Sequence, residues 1–116
     1  MTRTLCIQVQ PNRARDIDLA RVRSICEGLA TRKDLIARFS ASEGCDKGPY
    51  VNLMFETGNP KELWRQLRTK LYRDKAVGAA LARSSMAMIE GEQGWDDYDL
   101  LFHFDPDVPV EKPDSL

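Results

Sequence analysis

The amino-acid sequence predicts one α+β domain with an antiparallel sheet, and three observations support this fold class. The chain has 116 residues, the length of a single ordinary domain. Five segments have the alternating pattern of strands, and two segments carry apolar residues at helical spacing. The connection between the second and third strands is too short for a crossover helix, so these strands are predicted to form an antiparallel hairpin.

The first half of the chain predicts a strand, a helix and two further strands. Leu5, Ile7 and Val9 alternate with Cys6 and Gln8, which is the period of a half-buried strand. The expected ranges that follow are a helix at about 16–32, a strand at 35–41, a turn at 42–49 and a strand at 50–56.

The second half of the chain begins with a clear helix start. Asn59 can cap the helix, Pro60 fits its first position, and Glu62 lies three residues after the cap. The charged run 73–75 and Gly78 predict that this helix divides into two pieces. The last two strands are expected at 85–90 and 98–104, with their hairpin tip at 91–97.

This order of elements resembles the ferredoxin-like α/β plait, βαββαβ, with an additional C-terminal strand. In that fold two helices cover one face of an antiparallel sheet. The resemblance is one of topology over residues 4–104, and it implies no function because plaits carry many unrelated activities. We expect the domain to span residues 1–105 and the acidic, proline-containing segment 106–116 to be flexible.

Composition excludes several classes of protein. The chain is 42% hydrophobic and 30% charged, within the range of globular domains. Cys6, Cys26 and Cys45 form no C-x-x-C pair, which favours reduced thiols and a cytoplasmic location. No apolar run reaches the ~18 residues of a membrane span. The glycines lack phosphate-loop spacing and the acids match no calcium loop, so we expect neither a cofactor nor a metal.

Charge is unevenly distributed along the chain. Residues 1–89 hold 16 Lys and Arg and 9 acids, a net charge of +7, whereas residues 90–116 hold Lys112 and nine acids, a net charge of −8. Such asymmetry bears on partners and association rather than on fold.

The strongest functional signal is a pair of aromatic residues around two acids. Trp95 and Tyr98 flank Asp96 and Asp97, and Glu92 lies just before them in the expected hairpin tip. Aromatic residues are enriched among interface hot spots, and surrounding acids attract basic partners. We therefore expect a non-catalytic protein-binding module, such as an adaptor, an inhibitor or an immunity-type protein. The competing interpretation is that Trp95 folds back over the core.

Three alternatives remain open from the sequence. A small-ligand or enzymatic plait would use a cavity between the helices and the sheet, with His103 or Cys45 in the chemistry. His103 is expected to point away from both Phe102 and Phe104. The other two alternatives are a weak RNA binder that uses the basic helix face and a homodimer that pairs its sheet edges. The basic face comprises Lys61, Arg65 and Arg68.

Overall fold

The computed structural model, which describes residues 2–91 and 93–111, has an α+β fold with a five-stranded antiparallel sheet and three α-helices. The order of strands across the sheet is β2-β3-β1-β4-β5. The strands and helices are β1 Arg3–Val9, α1 Leu19–Leu29, β2 Arg38–Cys45, β3 Pro49–Thr57, α2 Pro60–Leu67, α3 Gly78–Ser84, β4 Ser85–Gly91 and β5 Gly94–His103.

The core lies between the helices and one face of the sheet. Alternate residues of β1, represented by Leu5 and Ile7, are fully buried, as are Phe55 of β3 and Ile89 of β4. They share one apolar cluster with side chains of all three helices. Because side chains alternate along a strand, the residues between these positions lie on the opposite face, which we call the open face.

The predicted start of α2 is confirmed, whereas α1 begins later than expected. The side chain of Asn59 accepts from the backbone N–H of Glu62, and Pro60 is the first residue of α2. In α1, Asp18 accepts from the N–H of Arg21 in the same way, so the helix begins at Leu19 and is shorter than the expected 16–32. Both caps satisfy N–H groups that have no partner within their helix.

The predicted break in the second helical segment is also confirmed. After α2 the chain forms one π-helical turn, Arg68–Tyr72, and then leaves the helix before α3 begins at Gly78. The carboxylate of Asp74 accepts from the N–H groups of Ala76 and Val77, both at 3.0 Å. These bonds hold the connection between the two helical pieces.

The boundaries expected for the second strand were wrong. Leu35 and Ile36 are buried in a turn rather than in a strand, and the predicted turn at 42–49 is largely strand, since β2 continues to Cys45. Small and polar residues suggested a loop there. Pairing with β3 outweighs this composition, and Tyr50 lies directly opposite Gly44.

The position expected for the hairpin tip, residues 91–97, was also wrong. β5 begins at Gly94, so Trp95 and the two residues after it belong to a strand rather than to the tip. Gly94 has a φ of +86°, a conformation that glycine adopts at little cost. The chain therefore turns earlier than the composition of the segment suggested.

Segment 105–111 returns toward the edge of the sheet. The N–H of Glu111 donates to the carbonyl oxygen of Leu100 in β5, at 2.7 Å. The rest of the predicted tail, residues 112–116, lies outside the described residues. None of the helices in the described part of the chain is both long and apolar enough to cross a membrane.

Candidate protein-binding surface

The hairpin of β4 and β5 is irregular where its acidic and aromatic residues lie. Gly91 pairs with Gly94 and Ile89 pairs with Asp99, so residues 95–98 stand opposite Glu90 alone. We call residues 90–99 the acidic hairpin. Such a bulge twists a strand and changes the direction of its side chains. A Cβ at Gly91 would overlap the backbone of Asp97, so the glycine lets the bulged strand cross close to β4.

Four of the five predicted site residues are exposed within the bulge. Trp95 is 39% exposed and Tyr98 is 48% exposed, and Asp96 and Asp97 between them are exposed as well. Glu92, the fifth residue of the predicted site, lies outside the described residues. The indole of Trp95 is not enclosed in the core, in contrast to Trp64, which is 2% exposed.

Several of the chain's own cations pair with acids outside the acidic hairpin. Five arginines form ion pairs with acids that precede residue 90: Arg21–Asp74, Arg23–Glu27, Arg32–Asp34, Arg65–Glu62 and Arg83–Asp16.

The carboxylates of the acidic hairpin take part in fewer ion pairs and hydrogen bonds. Arg3 lies 4.0 Å from the carboxylate of Asp99, and the carboxylate of Glu90 accepts from the N–H of Thr4 at 2.7 Å. Within residues 2–91 and 93–111, neither Asp96 nor Asp97 has an ion-pair partner. Their charges therefore remain on the surface.

Trp95 also borders a groove on the open face. The groove has a volume of about 220 Å³, and its floor combines apolar and amide side chains. Cys6 is only 4% exposed although it lies on the open face. It lies opposite Met54 on one side and Met88 on the other, in register across β3, β1 and β4. The lining residues are Cys6, Gln8, Asn52, Met54, Met88 and Trp95.

The residues of the alternative catalytic site are far apart in the sheet. Cys45 ends β2 and His103 ends β5, and these strands form its two opposite edges. Cys45 is exposed. Burial raises the pKa of Cys6 and that of Cys26 to about 12, which keeps both thiols protonated at neutral pH. No cysteine and histidine in the described part of the chain are thus placed to act as a pair.

The expected orientation of His103 was wrong in one respect. Its ring lies 4.2 Å from that of Phe104, centroid to centroid, and its Nδ1 accepts from the N–H of Asp105. The alternation of a strand fails here because β5 ends at His103, so Phe104 is free to turn toward it. Phe102, by contrast, packs on Tyr72 at the helix side, as the alternation predicts.

The basic residues of the alternative RNA site have structural partners. The guanidinium of Arg65 donates to the carboxylate of Glu62. That of Arg68 lies over the ring of Trp64, 5.8 Å from its centroid. Lys61 is exposed near the start of α2. Pairing with Glu62 reduces the positive charge that this surface would offer to a phosphate backbone.

The open face was not predicted from the sequence. The residues between the core positions of β1, β3 and β4 include four with sulfur, Cys6, Met54, Met86 and Met88, beside polar and acidic residues such as Gln8 and Glu56. This enrichment in sulfur-containing residues was the available signal, since exposed strand faces are usually polar. Among residues 2–91 and 93–111, no cluster of three or more His, Cys, Asp or Glu could hold a metal ion.

Comparisons with protein-family models, with curated proteins and with solved structures found no match to this chain.

Proposed function

We propose that this chain is a non-catalytic protein-binding module that contacts a basic partner through the acidic hairpin. The adaptor, inhibitor and immunity-type roles all fit a surface of this kind. The observation that carries the proposal is the exposure of Trp95 and Tyr98 beside Asp96 and Asp97, which lack ion-pair partners among the described residues. Aromatic side chains supply contact area, and the acids attract a positive partner.

The charge distribution supports a basic partner in particular. Residues 90–116 carry a net charge of −8, and arginines such as Arg21 and Arg83 pair with acids that precede residue 90. A surface of one sign raises association rates with an oppositely charged protein, and salt screens the effect over about 8 Å at physiological ionic strength.

The groove beside Trp95 supports an apolar anchor on the same partner. Methionine side chains adapt to the shape of what they bind and are common on protein-binding surfaces. Met54 and Met88 line the groove together with Trp95. A partner that places one apolar side chain in the groove and basic residues around it would match both features of this surface.

We also propose that the domain is a ferredoxin-like plait with a fifth strand at one edge. The order β2-β3-β1-β4 and the antiparallel pairing of each neighbouring pair support this assignment. In this arrangement the helices cover one face, and the other face is available for contacts.

The proposal predicts that a triple variant of the hairpin loses its partner. In Trp95→Ala with Asp96→Asn and Asp97→Asn, the indole and two charges are removed while the volume of both acids is kept. Truncation of a single hot spot costs about 2–4 kcal/mol, so affinity should fall at least about 30-fold. The measurement is affinity capture from native lysate by both forms, followed by titration of the purified partner.

The matched control removes two acids outside the negative segment 90–116, by Glu43→Gln with Glu56→Gln. Glu43 is exposed and Glu56 is partly exposed, and no side-chain hydrogen bond or ion pair within residues 2–91 and 93–111 involves either carboxylate. This control should retain the partner, and circular dichroism should show the same fold for all three proteins. Equal capture by the triple variant and by the wild type would contradict the proposal.

A further inference from the structure

A polar pocket lies at the end of the open face, away from the acidic hairpin. It has a volume of about 340 Å³, within the range of small-molecule sites. β1, the segment after it and the β2–β3 turn form its walls. The lining residues are Gln8, Gln10, Asn12, Arg13, Asp46, Lys47, Gly48, Pro49 and Tyr50.

Arg13 is held in place by two contacts. Its Nε donates to the side-chain oxygen of Gln10 at 2.5 Å, and its guanidinium carbon lies 3.8 Å from the centroid of the Phe104 ring. Among the described residues, none accepts a hydrogen bond from its two Nη groups. A guanidinium that is oriented in this way can bind a carboxylate or a phosphate through two parallel hydrogen bonds.

The neighbouring amides are also fixed in orientation. Gln10 donates to the side-chain oxygen of Gln8, and Gln8 donates to that of Asn52, both at 3.1 Å. With the bond from Arg13, a chain of three directed hydrogen bonds runs from the pocket along the open face. Side chains locked before binding lose little conformational entropy when a ligand arrives.

The β2–β3 turn supplies a second cation in a strained backbone. Lys47 has a φ of +60°, a left-handed conformation that costs a non-glycine residue about 1–2 kcal/mol. A glycine would adopt the same turn without this cost, so the lysine side chain is not explained by the turn itself. Asp46 also lines the pocket, and the formal charge of its lining is +1.

The remaining wall depends on a close approach between two strands. The ring of Tyr50 lies against Gly44 of β2, where any Cβ would overlap its hydroxyl end. Gly44 thereby lets the aromatic ring lie across β2 at the side of the pocket. Both the charged and the aromatic parts of the lining are thus positioned by the fold.

We infer that this pocket binds a small organic anion, whose carboxylate or phosphate group contacts Arg13 and Lys47 while the amides of Gln8, Gln10 and Asn12 contact its polar body. Asp46 adds an acceptor for a hydroxyl or ammonium group of the ligand. The inference goes beyond the proposed function, because the pocket shares no residue with the acidic hairpin.

The test is a titration followed by ¹H–¹⁵N NMR at constant ionic strength, with sodium phosphate in one arm and sodium succinate in the other. A saturable shift of the Lys47 and Gly48 amides and of the Gln8 and Gln10 side-chain amides is expected in one arm, and that arm identifies the class of anion. The absence of saturable shifts in both arms up to about 10 mM would overturn the inference.

Three variants separate binding from folding. Arg13→Ala should weaken binding at least tenfold, whereas Arg15→Ala, an exposed arginine outside the pocket, should leave it unchanged. Lys47→Gly should raise the thermal unfolding midpoint, because glycine relieves the positive φ, and yet weaken binding. Equal binding by Arg13→Ala and Arg15→Ala would overturn the inference. Arg13→Ala should still capture the basic partner. A failure of the anion-binding inference can therefore be distinguished from a failure of the proposed protein-binding function.

Discussion

Asp74 connects two parts of the helical layer that are distant in sequence. Its carboxylate accepts from Nε and an Nη of Arg21 in α1, at 3.0 and 2.9 Å, and from the N–H groups of Ala76 and Val77 before α3. The hydrogen bond from Arg21 is the main cause that lowers the pKa of Asp74 to about 2. Its ionised form is therefore part of the folded state.

This pKa predicts how stability depends on pH. A carboxylate whose pKa is lower in the folded state stabilises the protein above its unfolded pKa, near 3.8, and this contribution is lost as the pH falls toward 2. Denaturant unfolding should therefore give a smaller free energy of unfolding at about pH 2 than at about pH 4.

Asp74→Asn should have a lower free energy of unfolding at neutral pH. Its free energy of unfolding should also fall less steeply between about pH 4 and pH 2. Part of the slope should remain, because hydrogen bonds from Arg65 and Gln66 also lower the pKa of Glu62 to about 2. An unchanged slope in Asp74→Asn would contradict the role assigned to this carboxylate.

Sequence reasoning at the scale of single residues succeeded where the determinant is local. The cap at Asn59 depends on a residue three positions away, which a sequence shows directly. The bond between Arg21 and Asp74 joins residues 53 positions apart and could not be found without the fold. The contact of His103 with Phe104 was missed because it depends on where the strand ends.

At the scale of elements, two helical glycines have opposite roles. Gly78 starts α3 where it passes the carbonyl of Tyr72, and a Cβ there would overlap that backbone oxygen. Gly28 lies near the end of α1, and a Cβ would have no heavy atom within 4 Å. The first glycine is required by a close approach between segments, while the second is exposed.

Alanine substitution should therefore change stability in opposite directions. Gly78→Ala should lower the free energy of unfolding by about 1–3 kcal/mol, because backbone must move to admit the methyl group. Gly28→Ala should raise it by about 0.5–1 kcal/mol, because alanine restricts the unfolded chain and favours a helix. Chemical denaturation of the two variants measures both values, and a loss of stability in Gly28→Ala would contradict this assignment.

Strand boundaries were the least predictable feature of the elements. Residues 42–45 have the composition of a loop, but they pair with β3 because Tyr50 can lie on Gly44. Gly94 ends the turn before β5, and the strand continues through Trp95 although acids crowd it. Pairing with β3 accounts for the first case, whereas in the second case residues 95–98 form a bulge opposite Glu90. Neither the partner of a strand nor a bulge is visible in the strand's own sequence.

At the scale of the whole molecule, the charge of the chain is unevenly distributed between its two segments. Five arginines of the positive segment form ion pairs with acids of the same segment, among them Arg21–Asp74 and Arg83–Asp16. Asp96 and Asp97 keep their charge on the surface, because no cation in the described part of the chain forms an ion pair with either carboxylate. The fold thus leaves the carboxylates of Asp96 and Asp97 exposed, and the proposed contact with a basic partner rests on this feature.

The candidate site could be predicted in part. The four residues Trp95, Asp96, Asp97 and Tyr98 were singled out from their order in the sequence, and all four are exposed, within a bulge of β5 rather than at the hairpin tip. The groove next to them could not be predicted, because Cys6, Met54 and Met88 become neighbours through the register of three strands. A surface formed by consecutive residues can be predicted from the sequence. The residues that other strands place beside it depend on the topology of the fold.

Amide hydrogen exchange of the chain, alone and with its captured basic partner, tests the central claim most directly. If the acidic hairpin is the contact surface, binding should slow exchange of the amides at 94–99 and of the adjoining β4 amides, and the effect should diminish as salt is raised. Slowed exchange confined to α1, α2 and α3, with the hairpin unchanged, would contradict the account.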